Sequence, residues 1–236
     1  MSFLNDFLPI LSKSKLQYLG KEHEVGNVYS FYFQADKRIK WKAGQHGIFS
    51  IPKPMPGRAW RGFSVASPPG AEKLRIATRV STQPSPYKQA LMQLTEGEHI
   101  FMRGPFGPFY LDESKRSVVF VAGGIGVTPY RALISEALHN DSLMPTAVRL
   151  LYADNRQEYP FRTWFDKAGD HHQELQLHYL TSTSLDPMLV QQVKEFGNTA
   201  YYFVAGPVQM VRSITASLRQ QGIQNQNIRH DMFFGL

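Results

Sequence analysis

Val118-Val119-Phe120-Val121-Ala122-Gly123-Gly124-Ile125-Gly126-Val127-Thr128-Pro129 is the stretch whose reading decides the fold. It opens with five apolar or small residues and no charge, which reads as a strand buried on both faces, as in a parallel sheet. Three glycines then fall within four positions, so the backbone can turn tightly and approach a ligand closely. Thr128 suits the start of a helix, and Pro129 suits its first turn, where a missing N–H costs nothing. The N–H groups and positive dipole end of that helix form a seat for a diphosphate. An ordinary strand–turn–helix corner has the same local pattern, so the flanking sequence has to decide.

Downstream of this corner, strands expected at 118–122, 147–152, 175–180 and 201–204 alternate with helical stretches at 129–139, 161–168, 187–196 and 208–221. That alternation predicts a parallel sheet covered by helices on both faces. Upstream, from 15 to 111, the pattern is mostly period two. Strands are expected at 28–33, 46–51, 61–66, 74–80 and 98–103, with one helix near 87–94. Many short strands with Gly and Pro turns predict an antiparallel barrel. A composition shift near Asp112-Glu113-Ser114-Lys115 sets the boundary, giving domains at 1–112 and 113–236. Within the first 14 residues, Phe3, Leu4, Phe7, Leu8 and Leu11 share one side of a short helical pattern that Pro9 interrupts. This segment is expected to pack on the body of the protein, with a membrane-surface or dimer contact as the alternative.

The 236 residues include 26 basic and 19 acidic ones, a formal charge of +7. The basic residues are spread out and no zinc-finger or RNA-binding pattern occurs, which argues against nucleic acid. The charge suits an acidic protein partner or a phosphorylated cofactor. With no cysteine, the chain can have no disulfide, no thiolate nucleophile and no Cys-ligated zinc or iron–sulfur cluster. No apolar run approaches the roughly 20 residues of a transmembrane segment. The N-terminus lacks a basic leader and contains Asp6, so a cytoplasmic location is expected. His171, His172 and His178 are expected to be solvated, with no metal, and His46 to be structural.

Arg58-Ala59-Trp60-Arg61-Gly62-Phe63-Ser64-Val65-Ala66-Ser67 carries the first chemistry. On a strand, Arg61 and Phe63 point to one face and Ser64 to the other. An arginine can hold a diphosphate with two parallel hydrogen bonds. An aromatic ring can stack on a flat heterocycle, and a serine can bond its edge. A surface arginine beside a core phenylalanine is the structural alternative.

Arg61-Gly62-Phe63-Ser64 resembles the Arg-x-Tyr-Ser flavin motif of the ferredoxin–NADP reductase family, with Phe63 in place of the tyrosine. The resemblance implies that Arg61 contacts a flavin diphosphate, that Phe63 packs on the isoalloxazine, and that Ser64 lies near the reactive flavin nitrogen. Arg75-Ile76-Ala77-Thr78-Arg79-Val80 resembles the strand whose backbone meets the flavin, and Ser85 matches the serine of the Gly-x-x-Ser turn. Gly104-Pro105-Phe106-Gly107-Pro108-Phe109 resembles the segment that closes the family's barrel. Gly123, Gly124, Ile125, Gly126, Val127, Thr128 and Pro129 match its nicotinamide-nucleotide loop. Ala205, Gly206 and Pro207, with Met210, resemble its Cys-Gly-Pro-x-x-Met element, Ala205 replacing the cysteine. The C-terminal Asp231 and Phe233 (or Phe234 or Leu236) resemble its acid and terminal aromatic.

The resemblance covers roughly residue 15 to the end. It implies an antiparallel Greek-key β-barrel that binds FAD, followed by an α/β domain with a five-stranded parallel sheet. It further implies hydride transfer from NAD(P)H to FAD, then release of electrons to an acidic ferredoxin or flavodoxin or to an oxygenase component. Ser64 and Asp231 would be its catalytic residues. Tyr179-Leu180-Thr181-Ser182-Thr183-Ser184 offers four hydroxyls and no acid after a strand, and Arg156 follows another strand. A 2′-phosphate needs such groups, so NADPH is favoured over NADH, with Thr181 and Ser182 as contacts. A non-catalytic flavin- or nucleotide-binding subunit that regulates a partner is the alternative from a different class.

Overall fold

The computed structural model describes residues 6–35, 39–112 and 114–233. The chain divides into two compact units, Met1–Tyr110 with Arg131–Glu136, and Leu111–Tyr130 with Ala137–Leu236.

In the first unit the period-two pattern folds as an antiparallel sheet of β1 (Lys13–Val25), β2 (Val28–Gln34), β3 (His46–Ser50), β4 (Trp60–Ser64), β5 (Leu74–Arg79) and β6 (His99–Phe106). The order β4-β3-β6-β1-β2-β5 keeps the pairs β1/β2 and β3/β4 together but separates β2 from β3 and β4 from β5, as in a Greek-key barrel. β1 holds the sheet together: its first half pairs with β6 and its second half with β2. Register shifts at Tyr18/Gly20 and His23/Val25 bend it between those partners. The turn to β2 has two residues, Gly26-Asn27, with Gly26 supplying a φ of 54°. Leu16, Phe31, Phe33, Phe49, Ile76 and Met102 fill the inner face, together with Tyr87 and Leu91 of helix α1 (Pro86–Met92).

In the second unit β7 (Val118–Gly123), β8 (Val148–Ala153), β9 (Leu175–Leu180), β10 (Tyr201–Pro207) and β11 (Ile228–Phe233) form a parallel sheet in the order β11-β10-β7-β8-β9. Central β7 is buried along its whole length, as its uncharged run requires. Val119 and Val121 face α4 (Ser182–Phe196) and α5 (Val208–Gln220) through Leu185, Leu189, Val211 and Ile214. On the other face Phe120 stacks on Tyr130 of α2 (Thr128–His139) at 4.7 Å. In register with Phe120 across β8, Leu177 lies under Gly169 of α3 (Arg162–His171). Both faces are therefore covered.

Two local readings change. α4 starts at Ser182, five residues before Pro187, because Ser184 Oγ accepts the Thr181 N–H at 3.0 Å and satisfies a donor at the helix start. β11 had no strand pattern of its own, since it is an edge strand rich in polar residues. Its anchor is Arg229, which bonds Asp112 at 2.8 Å and lies 4.6 Å from the Tyr201 ring centroid.

Candidate functional site

In the first unit, the candidate site residues lie on β4 and its neighbours. Phe63 turns into the barrel core, its ring edge-on to Phe49 at 5.7 Å and 6.0 Å from Tyr87. Arg61 Nη1 donates to the carbonyls of Arg58 (3.2 Å) and Trp60 (2.8 Å), and the guanidinium sits 5.5 Å from the Tyr87 ring centroid. Gly62 is exposed between them. Ser64 is buried and lies opposite His46 on β3, which in turn lies opposite Phe106 on β6. Directly opposed residues of antiparallel strands share a face, so the three form one row. The His46 ring packs edge-on against Phe106 at 4.5 Å, and its buried Nδ1 has no hydrogen-bond partner. The sequence marks His46 only as a strand residue; the register places it beside Ser64.

Next to this row the end of β5 meets helix α1. Thr78 is buried, Arg79 Nη1 donates to Asn27 Oδ1 at 2.8 Å, and the Val80 N–H donates to the Asn27 carbonyl at 2.7 Å. Ser85 is the N-cap of α1 and accepts from the Lys88 N–H at 3.4 Å. One turn on, Lys88 Nζ donates to the Arg79 carbonyl at 2.8 Å. Burial above all, then the charges of Arg61 and Arg79, pull the Lys88 pKa below the ordinary lysine value. Three cations therefore converge, and no described carboxylate forms an ion pair with Arg61 or Lys88. Beside them the Tyr87 hydroxyl is fully buried without a hydrogen-bond partner, and burial drives its pKa well above the ordinary tyrosine range. An anionic group with several acceptor oxygens fits these donors, which is the chemistry of a diphosphate. No motif marks Tyr87 or Lys88 as site residues, although Lys88 stands three residues after Ser85, on the same side of the helix.

In the second unit, the candidate site residues form the glycine corner. Gly124–Val127 form a 3₁₀ turn between β7 and α2, with Ile125, Gly126 and Val127 buried. Thr128 is the first residue of α2 rather than its cap, and its Oγ1 donates back to the Ile125 carbonyl at 2.7 Å. Pro129 follows in the first turn. A Cβ on Gly126 would stand 2.7 Å from Gly206 Cα, and one on Gly123 would stand 3.1 Å from Pro207 Cδ and overlap Met210 Sδ. The two loops interlock because neither glycine has a side chain. Tyr130 pins them: its buried hydroxyl lies 2.8 Å from the Phe203 carbonyl and 3.1 Å from that of Val121. Burial, then the charge of Asp231, holds its pKa far above the ordinary value.

Ala205 pairs with Ala122 on one side and Asp231 on the other, so Asp231 stands in register with the end of β10. Phe233 ends β11; its side chain, like Phe234 and Leu236, lies outside the described residues. Half-buried Thr181 and exposed Ser182 stand at the start of α4, where the Ser182 N–H donates to Asn155 Oδ1 at 2.8 Å. This bond brings the loop after β8 to α4, and exposed Arg156 is the next residue. In the same loop, Asp154 accepts the Arg156 N–H at 2.8 Å. Among the described residues no group of three or more His, Cys, Asp or Glu could hold a metal, and no helix is long and apolar enough to cross a membrane.

The chain thus joins a barrel-type antiparallel sheet bearing a cluster of cations to a parallel sheet with a glycine corner. No protein-family model matches the chain. It is 29% identical over 115 residues to a component of the Na(+)-translocating NADH-quinone reductase of Colwellia psychrerythraea, covering 45% of this chain and 38% of that one. It is 22% identical over 221 residues to the anthranilate 1,2-dioxygenase electron transfer component of Acinetobacter baylyi, covering 84% of this chain and 59% of that one. The chain thus spans between about two fifths and three fifths of these relatives. Its fold matches the ferredoxin-NADP+ reductase of Plasmodium falciparum with a TM-score of 0.81 at 14% identity, over 93% of this chain and 95% of that one. The chain therefore has the two-unit fold of ferredoxin-NADP+ reductase.

Proposed function

We propose that the chain is an FAD-dependent oxidoreductase that takes hydride from NAD(P)H, with NADPH favoured, and passes electrons to an external acceptor. The carrying observation is the convergence of Arg61 and Arg79 on half-buried Lys88, with the Arg61 guanidinium against the Tyr87 ring. FAD, when bound, supplies the two-electron chemistry. Arg61, Arg79 and Lys88 hold its diphosphate, Thr78 and Val80 present backbone groups to it, and Ser64 offers its hydroxyl to the reactive ring nitrogen. In the second unit, Gly123, Gly124 and Gly126 let the corner at Ile125–Pro129 close on the dinucleotide, and Tyr130 keeps the corner rigid. Ala205-Gly206-Pro207 borders the nicotinamide, Asp231 is the acid of the site, and Phe233 shields the ring.

The Colwellia relative is named for NADH and the Plasmodium one for NADP+, so the choice of donor rests on this chain's residues. Exposed Arg156 beside Thr181 and Ser182 gives a cation and hydroxyls for a 2′-phosphate. The net charge of +7 suits an acidic acceptor such as a ferredoxin, a flavodoxin or an oxygenase component. Ala205, where the family has cysteine, favours a second reading as a non-catalytic nucleotide-binding subunit. Steady-state turnover of NADPH and NADH with ferricyanide, on the FAD-loaded chain, separates them. The expected result is turnover with a kcat/KM ratio for NADPH over NADH above one. No turnover supports the second reading, and a ratio below one reverses the choice of donor.

A further inference from the structure

Two of the few large apolar side chains that stand exposed among the described residues share one turn: Leu8 is 58% and Leu11 74% exposed. Leu8–Leu11 is a 3₁₀ turn. With three residues per turn, positions 8 and 11 project from one side, and 7 and 10 from another. Phe7 and Ile10 are half-buried, and the Phe7 ring lies 6.0 Å from Phe106. The segment is fastened to the body on that inner side. The Gly107 N–H donates to the Asp6 carbonyl at 2.9 Å, and the Tyr110 hydroxyl to the Asp6 carboxylate at 3.2 Å. The leucine pair is thereby held outward as a fixed ridge.

The ridge runs directly into a cluster of cations. On β1, Lys13 lies opposite Arg103 and Lys15 opposite Phe101, and the three cations are exposed. Lys13 Nζ stands 4.0 Å over the Phe101 ring, so its stem lies along apolar surface while its charge stays outside. No described acid forms an ion pair with Lys13, Lys15 or Arg103.

We propose that Leu8 and Leu11, with Lys13, Lys15 and Arg103, form a peripheral docking surface for a membrane bearing anionic lipids. The pairing of two protruding leucines with unpaired cations fits the boundary between acyl chains and anionic headgroups. A convex ridge needs no complementary groove in a fluid surface. A second copy of the chain would bring the same cations together and be repelled. The attachment is reversible, because two leucines and three cations are far less than a spanning helix.

Co-sedimentation of the chain with phosphatidylcholine vesicles, with and without phosphatidylglycerol, tests this at low and high salt. Binding is expected only with phosphatidylglycerol, falling as salt rises. Lys13→Gln/Lys15→Gln should weaken it roughly fivefold per lysine removed, and Leu8→Ser/Leu11→Ser should abolish it with the circular dichroism spectrum unchanged. If the leucine variant misfolds, the lysine variant decides alone. Absence of binding to phosphatidylglycerol vesicles at low salt, equal binding to both vesicles, or undiminished binding of the lysine variant overturns the proposal. The first of these outcomes would point to an acidic protein on the ridge.

Discussion

Replacing Gly126 by alanine tests the glycine corner at its tightest point. The new Cβ would lie 2.7 Å from both Ala205 C and Gly206 Cα, and nearer still to the Ala205 carbonyl oxygen. Unstrained carbon–carbon contacts are about 3.5–4.0 Å, so something must move by roughly 1 Å. The obstacle is backbone, and Ala205 is paired on both sides, to Ala122 and Asp231. Overpacking of this kind costs about 1–3 kcal/mol. If the corner lifts to relieve it, the energy is lost from dinucleotide binding, and Kd for NADPH rises about 5- to 150-fold. If the corner stays, the same energy is lost from stability, about 2–12 °C in Tm for a chain of this size.

Gly123 provides the contrast, because its main obstacle is the flexible side chain of Met210. Gly123→Ala should therefore be largely rescued by Met210→Ala, whereas no side-chain change should rescue Gly126→Ala. Titration calorimetry with NADPH, alongside thermal unfolding, reads both terms. A Gly126→Ala variant with Kd within about twofold of the parent and an unchanged Tm would refute the reasoning.

Ser64→Ala should slow flavin reduction about tenfold, the worth of one hydrogen bond, with FAD affinity nearly unchanged; an unaltered stopped-flow rate removes the assigned role. Lys88 links FAD affinity to pH. Its pKa is depressed in the free site by burial and by Arg61 and Arg79, and a bound diphosphate raises it again. Affinity is therefore full at neutral pH and falls as pH rises through the free-site value, below that of an ordinary lysine. Lys88→Met should weaken FAD binding at neutral pH and flatten that alkaline fall, and a fall of the same size in the variant would rule out Lys88 as its source.

The architecture was legible wherever one physical pattern dominated a segment. The uncharged run at β7 could only be a doubly buried strand, and the alternation at Val28–Gln34 matched a sheet with one face inward. β11 was not legible as a strand because an edge position buries too little to impose a pattern, and its hold depends on Arg229 reaching Asp112. The start of α4 at Ser182 lies ahead of the expected helix because the capping bonds between Thr181 and Ser184, not an apolar pattern, begin it. Among the candidate site residues, motif spacing marks Arg61, Ser64, Ser85 and the glycines. Lys88, Tyr87, Tyr130 and Asn155 act through partners 9 to 73 residues away, which no local window contains. His46 belongs with them, since only the register of β3 against β4 sets it opposite Ser64.

The most direct test of the account is to mix the FAD-loaded chain with NADPH without oxygen and follow the absorbance of oxidised flavin. The chain should retain FAD through desalting, and NADPH should bleach the flavin band within one turnover. A chain that retains no FAD, or a bound flavin that NADPH and NADH both leave oxidised, would contradict it.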